Sequence, residues 1–297
     1  MLIFSGGSNK ELAHKVAVDL GLSLGGLEIV TFPDNENRVQ VTEKVVDQDV
    51  VVVQSTGITP NLYYMELFFI LDSLKRSGAR SITLAIPYLG YQRQDHIFRD
   101  GEAVSLEVII KLIEELGVTK VISFDFHSIR IPELFHVPVI HLSALPIFAE
   151  NINNADKEDL VLVSPDKGGI ARIKELSSLT NDLPFVSIVK DRDLNTGNIE
   201  SNEINGEVKK KAIIVDDVVS TGRTLIAAAD LLKKNGAEEI SVMATHAIFA
   251  KTASQDLENS SIDKIIVTDT IKLPEKRTFG KLEILSVSHL LSEAIQQ

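Results

Sequence analysis

Short apolar runs alternate along this chain with longer stretches of helical, amphipathic spacing. Residues 2–4, 28–32, 50–53, 81–86 and 120–124 read as strands. Residues 10–20, 62–77 and 104–116 carry the helical period, and the first two stretches stop at Gly21 and Gly78. Strands that alternate with helices call for a mostly parallel sheet with helices on both faces. The second half repeats the pattern. Residues 212–215 form an apolar run of the kind a buried parallel strand shows, with a helical pattern over 225–234. Residues 286–297 read as a final helix able to pack on either half.

The two halves also match in wording. Leu74-Lys-Arg-Ser-Gly-Ala79 aligns with Leu232-Lys-Lys-Asn-Gly-Ala237, and Lys120-Val-Ile-Ser-Phe-Asp125 with Lys264-Ile-Ile-Val-Thr-Asp269. Ile3-Phe-Ser5 and its Gly-rich turn align with Leu162-Val-Ser164 and the turn to Gly169. The pattern reads as a tandem duplication of one α/β unit, joined near residues 146–159. The expected domains are 1–146 and 147–297. Two α/β halves of similar composition are the alternative, and the shared Leu-Lys-x-x-Gly-Ala wording argues against it.

Composition narrows the function. The 297 residues are 44% hydrophobic and 24% charged, with a formal net charge of -12. No basic stripe of the kind nucleic acid requires stands out. An anionic substrate must be met by local Arg, Lys and Mg²⁺, because the overall field opposes it. With no cysteine, thiolate metal sites and disulfides are excluded, in keeping with a cytoplasmic protein. No apolar run approaches the ~20 residues of a membrane span.

The most informative stretch is Lys211 to Thr224. An apolar strand should end at the adjacent acids Asp216 and Asp217, and a loop of Ser220, Thr221, Gly222, Arg223 and Thr224 should then enter a helix. Ligands of open α/β sheets sit at strand carboxyl ends. A helix N-terminus offers unpaired N–H groups to a phosphate, and Gly222 lets the backbone come close. The acids suit sugar hydroxyls or a bound Mg²⁺. A Ser/Thr-capped helix after an Asp-rich turn, with no ligand, is the alternative. Neither a Walker loop nor a G-x-G-x-x-G fingerprint is present.

This stretch resembles the phosphoribosyl-diphosphate loop of the type I phosphoribosyltransferase fold. The whole chain resembles the ribose-phosphate diphosphokinases, also called phosphoribosyl pyrophosphate synthetases. The motifs include Ser5-Gly-Gly-Ser-Asn9, Phe32-Pro-Asp34-Asn-Glu36, Arg93-Gln94-Asp95, Asp125-Phe-His127, Ser164-Pro-Asp166-Lys-Gly-Gly169, Lys190-Asp-Arg192 and the 215–224 run. The resemblance implies a tandem pair of type I phosphoribosyltransferase-like units. It also implies Mg²⁺-dependent transfer of diphosphate from ATP to the anomeric hydroxyl of ribose 5-phosphate.

By resemblance, Lys190 and Arg192 are catalytic, on a polar loop running to Gly206. Arg93, Gln94 and Asp95 bind ATP, while Phe32, Asp34 and Glu36 reach the adenine of a neighbouring subunit. His127 and Asp166 hold Mg²⁺. Arg192, Asp216, Asp217, Ser220, Thr221, Gly222, Arg223 and Thr224 bind ribose 5-phosphate. The partners implied are ATP, ribose 5-phosphate and further copies of the chain. On residue type alone, Phe32 reads equally as core packing, Lys190 and Arg192 as solvated surface charges, and His127 as a structural histidine. Asn35 stands where Gly is usual, Arg223 where a small residue is usual, and 96–107 departs most from the family. A non-catalytic regulatory subunit and a phosphoribosyltransferase consuming phosphoribosyl diphosphate are the alternatives.

Overall fold

The computed structural model describes residues 1–97, 99–192 and 199–297, with the side chains of 190–192 and 199–202 outside that description. The chain divides into two compact units. One comprises residues 1–142, 269–272 and 286–297, and the other residues 143–268 and 273–285.

The first unit contains β1 (Leu2–Ser5), α1 (Lys10–Asp19), β2 (Leu27–Thr31), β3 (Asn37–Val41), β4 (Asp49–Val53), α2 (Pro60–Arg76), β5 (Ser81–Ala85), α3 (Ser105–Glu115), β6 (Lys120–Phe124) and β7 (Val139–Leu142). Five parallel strands form its sheet in the order β1-β4-β5-β6-β7. The central strands are apolar along their length because both faces are covered, and Val50, Val52, Ile82, Leu84 and Val121 share a core with Leu67, Leu71 and Leu74 of α2.

The second unit contains α4 (Leu145–Asn153), β8 (Leu160–Ser164), α5 (Ile170–Leu179), β9 (Phe185–Arg192), β10 (Ile199–Asn205), β11 (Lys211–Val219), α6 (Arg223–Lys234), β12 (Glu239–Ala247), α7 (Ala253–Glu258), β13 (Lys264–Thr268) and β14 (Leu282–Leu285). Its sheet runs β10-β9-β8-β11-β12-β13-β14, all parallel except the β9–β10 pair. The stretch β8-β11-β12-β13-β14 repeats the order β1-β4-β5-β6-β7, as a duplicated unit requires. Gly78 and Gly236, at matching positions after α2 and α6, have φ of 83° and 98°. The final helix, α8 (Ser288–Gln296), belongs to the first unit and packs on α1.

Four details differ from the sequence reading. Strand β11 does not stop before the acids but runs on through Asp216 and Asp217 to Val219. Pairing with β12 continues there, with Asp216 opposite Ala244 and Val219 opposite Ala247, after pairing with β8 has ended at Ile214. Within the expected join, 145–153 is α4. Its Pro146 sits in the first turn, where the missing N–H is harmless, and Leu145, Phe148 and Ile152 enter the second core. In the expected loop to Gly206, residues 199–205 form β10, paired with β9, while residues 193–198 lie outside the described residues. Residues 37–41, not expected as a strand, pair antiparallel with β2.

Candidate functional site

In the second unit, the candidate side chains gather at the carboxyl ends of β8 and β11. Asp217 follows Asp216 along β11, and its N–H donates to Asp216 Oδ1 at 2.9 Å. The Asp217 side chain is 6% exposed and that of Asp216 20%. Burial, and then the charge of Asp217, raise the Asp216 carboxyl to about 8. Arg172 of α5 answers both acids, with Nη1 3.4 Å from Asp216 Oδ1 and Nη2 3.4 Å from Asp217 Oδ1.

The loop after β11 turns at Gly222, whose φ is 74°. A Cβ there would meet the buried Leu257 of α7 at 3.0 Å. No side chain caps α6, whose first N–H groups therefore open toward the loop of Ser220 and Thr221. Thr221, Arg223 and Thr224 are exposed, and Ser220 is half-buried. Open N–H groups and hydroxyls thus lie one short loop from two adjacent acids, a chemistry suited to a phosphate beside sugar hydroxyls. At the end of β8, Asp166 is exposed, and one of its oxygens accepts the Gly169 N–H at 3.1 Å.

In the first unit, Arg93, Asp95 and His127 line a cavity of about 760 Å³ together with His96, Ser128, Arg130, Glu133 and Leu134. Asp95 bonds His96 Nδ1 at 2.6 Å. Gln94 is not among the lining residues and donates to the Arg93 carbonyl. The loop that presents His127 is pinned from both sides. The His127 N–H donates to Gln92 Oε1 at 2.9 Å, and the Phe126 N–H to His141 Nε2 at 3.0 Å. That second bond needs His141 unprotonated at Nε2.

Phe32, Asp34 and Glu36 lie at the tip of the β2–β3 hairpin. The Phe32 N–H donates to the Glu36 carbonyl and the Glu36 N–H to Asp34 Oδ1. Phe32 is 42% exposed and does not pack into the core. Asn35 adopts a φ of 69°, the left-handed conformation that Asn tolerates in place of Gly. Lys190 and Arg192 fall on β9, and their side chains lie outside the described residues.

The sequence reading gives no role to Arg172, His141, Gln92, His96, Arg130 or Glu133, which the structure places at or beside these candidate residues. Arg172 stands three residues after Gly169 of a recognised motif, and that proximity was its only signal.

Comparison with known proteins gives a consistent result. The family model described as the N-terminal domain of ribose phosphate pyrophosphokinase matches residues 1–117, and a phosphoribosyl synthetase-associated domain matches residues 197–297. A ribose-phosphate pyrophosphokinase of Aquifex aeolicus is 39% identical over 298 residues, covering 99% of this chain and 94% of the relative. One from Bacillus subtilis is 37% identical over 294 residues, covering 99% and 92%. The crystal structure of phosphoribosylpyrophosphate synthetase from Mycobacterium smegmatis superposes with a TM-score of 0.93 at 31% identity, covering 99% of this chain and 97% of that one.

Proposed function

The chain belongs to the ribose-phosphate pyrophosphokinase family, and from that membership we propose that it transfers the diphosphate of ATP to the C1 hydroxyl of ribose 5-phosphate. The products are 5-phosphoribosyl 1-diphosphate and AMP, the first a building block for nucleotide biosynthesis. The observation that carries this reading is the acid pair Asp216–Asp217 one short loop before the left-handed turn at Gly222. Neither a regulatory subunit nor a phosphoribosyltransferase is favoured, because the relatives match the doubled unit from end to end.

In this reading, Asp216 and Asp217 accept hydrogen bonds from the ribose 2- and 3-hydroxyls. The backbone and hydroxyls of Ser220–Thr224 hold the 5-phosphate, with Arg223 adding a charge. Arg93 binds ATP phosphate oxygens in its planar fork, with Gln94 and Asp95 beside it. Attack of the C1 oxygen on the β-phosphorus releases AMP, and negative charge spreads over the transferring and leaving groups. Lys190 and Arg192 neutralise that charge, and a loose transition state asks for no strong general base.

Mg²⁺, when bound, neutralises phosphate charge. The exposed Asp166 carboxylate suits its preference for oxygen, and His127, the less usual ligand, lines the cavity with the carboxylates of Asp95 and Glu133.

Self-association is part of the proposal. The exposed hairpin tip, and a stripe of exposed Leu62, Met65 and Phe69 along α2, are surfaces that a second copy would cover. Among the described residues no helix is long and apolar enough to cross a membrane. A cytoplasmic setting fits the proposed substrates.

The test is AMP formation from ATP, Mg²⁺ and ribose 5-phosphate. Turnover that requires the sugar phosphate supports the reading. Intact nucleotide binding without turnover overturns it in favour of a regulatory subunit.

A further inference from the structure

Arg172 occupies an unusual position. It is the third residue of α5, in the first turn, where the helix dipole disfavours a cation. Its side chain is only 19% exposed, so water does little to stabilise the charge. The carboxyl groups of Asp216 and Asp217 offset both penalties. Nη1 lies 3.4 Å from Asp216 Oδ1, and Nη2 lies 3.4 Å from Asp217 Oδ1. The turn beneath is tight, since a Cβ on Gly169 would meet Ser164 Oγ at 2.5 Å and lie 3.7 Å from Arg172 Nη1.

We infer that Arg172 is a positioning residue for the sugar site, acting through Asp216 and Asp217 to hold both carboxylates in the orientation that receives two neighbouring hydroxyls of a pentose phosphate. This rests on the reading of that acid pair as the ribose acceptors. Two adjacent, largely buried acids crowd one another, and without a shared partner their side chains would turn apart. Both prongs of Arg172 fall on Oδ1 atoms, and Asp216 Oδ1 also takes the Asp217 N–H at 2.9 Å. The planar fork therefore fixes the two groups as one unit. A lysine is a point charge and cannot hold two carboxylates at set angles.

The experiment is steady-state AMP formation by the full chain, with ATP and ribose 5-phosphate varied separately, on Arg172→Met and Arg172→Lys, with thermal melts to verify folding. The Met variant is expected to raise the KM for ribose 5-phosphate about tenfold or more, with the KM for ATP changed less than about twofold. The Lys variant is expected to raise the ribose 5-phosphate KM by a smaller factor. An unchanged ribose 5-phosphate KM in a folded Met variant overturns the inference. So does a parallel rise in both KM values, or a Lys variant as damaged as the Met variant. If the Met variant does not fold, Arg172→Lys decides alone. A selective rise in the ribose 5-phosphate KM supports the clamp, and no change overturns it. Wild-type turnover with indifferent Arg172 variants sinks the clamp alone. A wild type that forms no AMP sinks the proposed activity, and the clamp with it.

Discussion

The main-chain N–H of Asp217 donates to Oδ1 of Asp216 at 2.9 Å, and both carboxyl groups lie 3.4 Å from the one Arg172 guanidinium. Burial, and then the Asp217 charge, raise Asp216 from 3.8 to about 8. Between those values the folded chain binds more protons at this group than the unfolded chain does. Its stability therefore falls as pH rises through that window. An Asn mimics the protonated form without titrating. Asp216→Asn is predicted to gain less over wild type near pH 5, early in that window, than at its upper end. Above pH ~8 the gain should be largest, read as a melting temperature above that of wild type. Thermal melts of the ligand-free protein at the two pH values test this, and an equal shift at both would contradict it.

Gly222→Ala puts a side chain on a residue with φ of 74° and within 3.0 Å of Leu257. The backbone strain alone is about 1–2 kcal/mol. The loop should also lose its fit to the 5-phosphate. Denaturant melts should show the stability loss, and kinetics should show a higher KM for ribose 5-phosphate with an unchanged KM for ATP.

Lys190→Ala is expected to lower kcat by roughly 10²–10⁴, because in the proposed reaction it removes a charge that neutralises the transferring group. Its melting temperature should stay near that of wild type, since truncating one lysine side chain usually changes stability little. Rapid-quench measurement of AMP, with binding of ATP followed separately, distinguishes lost chemistry from lost affinity.

The hairpin tip gives a test of the oligomer. Phe32 is 42% exposed, so Phe32→Ala should change stability by no more than about 0.5 kcal/mol. In combination with Asp34→Ala and Glu36→Ala it should weaken ATP use strongly. If the tip serves a neighbour's site, mixing this triple variant with Lys190→Ala should restore activity. Mixed oligomers then contain a site with one subunit's lysine and the other's tip. No recovery on mixing would contradict the shared-site reading.

The central strands were legible because a parallel sheet covered on both faces demands continuous apolar runs, and residues 50–53 and 212–215 have nothing else. The duplication was legible because the turns at Gly78 and Gly236 sit in the same wording. Strands β3 and β10 were not, because Asn37–Val41 and Ile199–Asn205 are polar on alternate or most positions and owe their form to antiparallel pairing. The end of β11 was missed because Asp216 and Asp217 interrupt its apolar run, and pairing with β12 carries the strand past them to Val218 and Val219. Helix α4 was read as a join because Pro146 looks like a break unless its place in the first turn is known. At the site, the motif residues were visible one by one. The partner of the acid pair was not, since it arrives from α5, on the neighbouring strand's connection, and only the fold brings Arg172 to Asp216 and Asp217.

The most direct test follows phosphorus. Wild-type protein is incubated with ATP, Mg²⁺ and ribose 5-phosphate, and the products are resolved by ³¹P NMR. The account predicts AMP and 5-phosphoribosyl 1-diphosphate in equal amounts, with both transferred phosphorus atoms still joined, and no AMP without the sugar phosphate. ADP beside a ribose bisphosphate, or AMP released regardless of ribose 5-phosphate, would contradict it.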